Sequence, residues 1–100
     1  MAFIQLVEYT TSRPDEVDGI IAEWQQAGQG KRTARRALNT RHREDPNRYC
    51  QIVFFDSYES AMENSQLPET QEFARRMAEL VDGEPTFRNL DVVEDIDLTG

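Results

Sequence analysis

The run Tyr49-Cys-Gln-Ile-Val-Phe-Phe-Asp56 constrains the fold of this chain more than any other stretch. Successive side chains of a strand point to opposite faces of a sheet, so Ile52, Val53, Phe54 and Phe55 place apolar groups on both. Residues 3–11 repeat the pattern, with Phe3, Val7 and Tyr9 on one face and Ile4 and Leu6 on the other. Residues 86–96 do so again, with Phe87 and Val93 opposed to Leu90 and Val92. An antiparallel sheet with one wet face alternates apolar with polar residues instead. Both faces of this sheet are therefore expected to be covered, within a chain of only 100 residues.

The segments between these strands supply one layer. Ser12 is placed to cap a helix that Pro14 opens, with Asp15 and Glu16 at the positive end of its dipole. Val17, Ile20, Ile21, Trp24 and Ala27 follow at helical spacing, and Gly28 and Gly30 end the helix. Ser57 starts a second helix, which Pro68 restarts; Phe73, Met77, Leu80 and Val81 form its apolar stripe, closed by Gly83 and Pro85. Residues 31–44 suit either a helix, through Ala34, Ala37 and Leu38, or a polar strand. The turn signal Asp45-Pro46-Asn47 favours a polar edge strand, joined as a hairpin to the strand that follows.

The resulting order is strand, helix, strand, strand, helix, strand. This predicts an α+β, ferredoxin-like βαββαβ fold, with both helices on one face of a four-stranded antiparallel sheet. The other face is expected to meet a second copy of itself, giving a two-fold dimer. A fold-over by residues 57–67 is the alternative cover. Residues 1–96 read as one domain and 97–100 as an acidic tail.

Composition excludes several classes. A single cysteine, Cys50, and a single histidine, His42, cannot form an internal disulfide or a paired-imidazole metal site, which excludes structural zinc and two-histidine iron, and no metal is expected. No apolar run approaches the roughly 20 residues of a membrane span, and the first residues show no basic leader or cleavage site. A cytoplasmic protein without membrane contact is the expectation. A net charge of -8 argues against nucleic acid as a partner. Seven of the eleven basic residues nevertheless fall between Lys31 and Arg48. They read as a charged edge strand that discourages stray pairing, as the rim of an anionic-ligand site, or as the second helix of a DNA-binding helix-turn-helix about Gly28-Gln-Gly30.

From Ile52 to Glu94 the pattern resembles the antibiotic biosynthesis monooxygenase-like family of the dimeric α+β barrel superfamily. An apolar strand ends in the aromatic Phe55, a short helix follows, the chain breaks near Pro68, a helix carries Phe73, and a strand contains Leu90-Asp-Val-Val93. The opening strand and the Pro14 helix start fit as well. The resemblance implies a homodimer whose two sheets close into a dimeric α+β barrel, with a small-molecule pocket between sheet and helices in each subunit. Some relatives oxygenate aromatic compounds without metal or flavin, and others degrade haem. The haem-degrading pattern carries an Asn on the first strand and a Trp and a His on the second helix. Here residues 3–11 hold no Asn, the only Trp and His are Trp24 and His42, and Asn64 and Met77 stand in the corresponding helical places, so haem degradation is not implied.

Cofactor-free oxygenation needs an electron-rich substrate, a dry cavity, hydrogen bonds to developing negative charge and a proton acceptor. His42, Tyr9 and Asn64 are the candidate catalytic residues, with His42 as base because imidazole titrates near neutrality. Trp24, Asn39 and Arg41 are the candidate substrate contacts. Each also has an ordinary reading: a surface histidine, a core tryptophan, a tyrosine packed at an interface. The expected function is a homodimer acting on a small aromatic or quinone-like molecule, as a cofactor-independent monooxygenase. The alternative is a non-catalytic ligand-binding or interaction module on the same scaffold.

Overall fold

The computed structural model describes residues 2–100. Its elements run β1 (Phe3–Thr10), α1 (Pro14–Ala27), β2 (Arg36–Arg41), β3 (Arg48–Phe55), α2 (Tyr58–Ser65), α3 (Pro68–Leu80) and β4 (Thr86–Asp91). The strands make one antiparallel sheet in the order β2-β3-β1-β4. This is the ferredoxin-like arrangement, with the second crossover divided into α2 and α3 at Pro68.

Local chemistry accounts for most boundaries. At α2, Ser57 accepts a hydrogen bond from the Ser60 N–H at 3.1 Å and the Ser60 hydroxyl accepts one from the Ser57 N–H at 3.1 Å, a reciprocal capping box. At α1 the expected Ser12 cap is not used, and Arg13 occupies the cap position without a side-chain bond. Thr11 takes over instead: its hydroxyl accepts from the Arg13 N–H at 3.0 Å and donates to the Leu80 carbonyl at 2.6 Å, tying the start of α1 to the end of α3. Gly28 caps the C-terminus of α1, and Gly30 adopts φ +81°, a conformation that suits glycine.

Two expectations change. The strand predicted over residues 86–96 ends at Asp91, because β4 pairs only with β1 and its register runs out opposite Phe3, with one further bond from the Val92 N–H to the Ala2 carbonyl. The helix-turn-helix reading falls because residues 36–41 are strand, held to β3 from Arg36↔Phe54 to Arg41↔Tyr49. The edge-strand reading holds, over a shorter span than residues 31–44.

The helices cover the face carrying Phe3, Tyr9, Gln51, Val53 and Phe55, all buried. Under α2, Phe3, Val53, Phe55 and Ala61 pack together. Under α1 and α3, Tyr9, Val17 and Ile21 pack with Val7, Tyr49, Phe73, Met77, Leu80 and Val81. Residues 57–67 form α2 and its exit on this same side, so they do not cover the opposite face. There Leu38, Ile52 and Leu6 lie in one row across β2, β3 and β1, with Phe54, Ile4 and Leu90 in the next across β3, β1 and β4. Leu90 is exposed and the other five are only partly buried. Among the described residues no helix is long and apolar enough to cross a membrane.

Candidate functional site

A cavity of about 110 Å³ lies between the sheet and the helices. Strand alternation supplies its floor: Gln5, Val7 and Tyr9 from β1, Gln51, Val53 and Phe55 from β3, and Phe87 from β4. Helical spacing supplies its roof, since Thr70, Phe73, Ala74 and Met77 recur on one face of α3, with Trp24 from α1 and Asn64 from α2. The helix layer leaves β4 uncovered. Phe87, 57% exposed, and Ala74 therefore mark the side on which the cavity opens.

No charged side chain lines this space, and its polar groups are few and oriented. The Tyr9 ring stacks on Tyr49 at 5.6 Å, and its hydroxyl has no hydrogen-bond partner among the described residues. Burial, with smaller contributions from Asp18, Tyr49 and Cys50, pushes the Tyr9 pKa up to about 12. At neutral pH Tyr9 is thus a proton donor to any acceptor in the cavity, not a base. Asn64 Oδ1 accepts the Thr33 N–H at 3.1 Å, which fixes the amide and leaves its NH₂ to donate elsewhere. Gln51 Nε2 donates to Asn39 Oδ1 at 3.2 Å, leaving Gln51 Oε1 as an acceptor, and Gln5 Nε2 donates to Asn89 Oδ1 at 3.3 Å in the same manner. The arrangement suits a flat apolar molecule bearing one or two oxygens.

Of the residues proposed from sequence, Tyr9, Asn64 and Trp24 meet at this cavity. Asn39 stands one hydrogen bond behind it, orienting Gln51. His42 and Arg41 lie outside the lining, in an open, exposed cleft with Arg43 and Pro46 at the end of the β2–β3 hairpin. The reason is topological: β2 is the sheet edge, and its far end runs past the helix layer. Gln5, Gln51 and Thr70 were not singled out. Gln51 carried a readable signal, because it shares the parity of Val53 and Phe55 and thus puts an amide on the buried face. Among the described residues no group of three or more His, Cys, Asp or Glu is placed to hold a metal ion.

No family model matches the sequence, and no curated protein matches it. Solved structures do. SnoaB from Streptomyces nogalater, a cofactor-independent oxygenase, aligns over 95% of this chain and 96% of its own with a TM-score of 0.80 at 14% identity. A candidate antibiotic biosynthesis monooxygenase from Caulobacter crescentus aligns over 93% and 91%, with a TM-score of 0.81 at 12% identity. One from Bordetella bronchiseptica aligns over 93% and 98%, with a TM-score of 0.78 at 17% identity. What is shared at these identities is the backbone, and the chain accordingly has the ferredoxin-like α+β fold of structures named as antibiotic biosynthesis monooxygenases.

Proposed function

We propose that this protein is a homodimer that oxygenates a small hydroxylated aromatic molecule in the cavity beneath its helices, without a cofactor. The observation that carries the reading is a small apolar cavity in which the only polar groups are uncharged, with the Tyr9 hydroxyl and the Asn64 amide free to donate. The fold shared with a cofactor-independent oxygenase supports it. In such a reaction the substrate provides every electron. A phenol with an open ring position reacts with O₂ to give a quinone and one water, one oxygen atom entering the ring and the other leaving with two protons. Tyr9 and Asn64 would hold the ring oxygen and favour its ionised form, from which the electron then leaves for O₂. Phe55, Phe73 and Met77 keep water from the partly reduced oxygen.

Because no side chain in the lining titrates near neutrality, the substrate would ionise through its own acidity. Oxygen uptake with a series of phenols should then rise with pH at midpoints that follow each phenol's pKa. A midpoint common to all of them would place a protein base in the reaction and overturn this assignment. The same uncharged lining favours the second reading, a binding module without turnover. Saturable binding of phenols with no oxygen consumed at any pH would establish that reading instead.

A further inference from the structure

On the outer surface, between α1 and α3, lies a second and larger hollow of about 310 Å³. Its floor is apolar, formed by Ile20, Ala27 and Pro68 together with Trp24 and Phe73. These last two residues also line the inner cavity, so the Trp24–Phe73 pair is the wall between the two spaces. Its ring centroids are 5.2 Å apart with the planes at 31°.

Three observations bear on what this wall does. The inner cavity, at about 110 Å³, is smaller than the ~150 Å³ that holds a benzene molecule, so a ring placed there must extend beyond it. Phe73 borders both spaces while packing on Trp24 and on the Tyr9, Val17 and Ile21 cluster, so it is the side chain whose rotation would join them. And α3, which carries Phe73, contains no fully buried residue: Phe73 and Met77 pack against the core yet stay partly exposed where the two spaces border them. Ion pairs Glu23–Arg76 and Lys31–Glu69 tie α1 and its exit to α3, and Glu23, Glu69 and Arg76 line the groove beside its apolar residues.

We infer that the two spaces act as one site divided by Trp24 and Phe73, and that the substrate is a hydroxylated ring bearing an apolar chain. The ring occupies the inner cavity, and the chain passes Phe73 into the α1–α3 groove. Together the spaces reach the size range of small-molecule pockets, about 300–1,000 Å³. Trp24 and Phe73 thereby set specificity by admitting a chain at one ring position. This inference rests on the inner cavity being the binding site.

The test uses phenol and 4-hexylphenol as probes and the fluorescence of Trp24, the single tryptophan, as the readout. The wild-type protein should bind 4-hexylphenol more tightly than phenol by on the order of tenfold or more, since buried methylenes contribute favourably. Ala27 is exposed and lines only the groove, so Ala27→Phe fills the groove without touching the ring site. It should abolish the preference for the chain and leave phenol affinity unchanged. Glu72→Phe does the same from the opposite wall if the first variant folds poorly. A preference that survives a folded groove-filling variant means that the chain leaves past Phe87, and it overturns the inference alone. Equal binding of both probes by the wild type also overturns the inference alone. Binding of neither overturns the cavity reading with it.

Discussion

Tyr9 lines the cavity and its hydroxyl makes no hydrogen bond among the described residues, and this sets what its removal does. Tyr9→Phe should change stability by less than about 1 kcal/mol, because no protein hydrogen bond is broken, while weakening phenol binding severalfold. Urea unfolding and fluorescence titration measure the two effects separately. The shifted pKa gives an independent signature. The folded protein keeps the Tyr9 proton to about pH 12, whereas an unfolded chain releases it near the ordinary value of 10. The associated stability is therefore fully present below pH 10 and disappears as pH rises toward 12. Tyr9→Phe should flatten the alkaline decline in the urea midpoint over that range. Asn64 behaves differently, since it serves the backbone as well as the cavity: Asn64→Ala strands the Thr33 N–H and should cost about 1–3 kcal/mol in the same assay. At this scale the sequence was partly legible. Tyr9, Trp24 and Asn64 declared themselves by type and position. Gln51 did not, although its parity marked it, because a lone amide within an apolar strand reads first as an interruption. His42 stood out only for its chemistry, and chemistry carries no information about which side of an edge strand's end a residue occupies.

At the level of elements, boundaries written in short-range chemistry were legible and those set by distant partners were not. Ser57 announced α2, and Pro14 and Pro68 announced α1 and α3. Ser57→Ala removes half of the capping box and should lower stability by about 1 kcal/mol, measurable as a shift in the urea midpoint with an unchanged slope. Ser12 misled because Thr11, its neighbour, reaches Leu80 on another helix, a contact separated by 69 residues. The length of β4 misled for a similar reason: Val92 and Val93 favour a strand, but the pairing with β1 stops at Phe3↔Asp91, and only the Val92 N–H, bonded to the Ala2 carbonyl, continues past it. The segment between α1 and β2 is held by Thr33, whose N–H donates to Asn64 Oδ1 and whose hydroxyl donates to the Ser60 carbonyl, and by the ion pairs Lys31–Glu69 and Arg35–Asp56, of which the second is exposed. Hydrogen bonding from Arg35 holds the Asp56 carboxyl below its ordinary range, so this pair's contribution is present above that range and lost as pH falls through it.

The molecule as a whole is two layers deep where its strands call for three. The row Leu38, Ile52, Leu6 and its neighbours Phe54 and Ile4 face outward in a single chain. A stable self-association would need about 1,200–2,000 Å² of buried surface, which a four-stranded sheet face can provide. Ile52→Arg places a charge at the centre of that face and should shift sedimentation from dimer to monomer at micromolar concentrations, without loss of helix signal. A monomeric wild type under the same conditions would overturn the dimer. Cys50 sits on this same face, opposite Thr40 on one side and Glu8 on the other, its thiol pushed up by burial and by the Glu8 charge. In the proposed dimer its rate of alkylation is consequently an internal clock for assembly: expected to be slow when chains are crowded together, faster on dilution, and readable by mass spectrometry with no label or added tag.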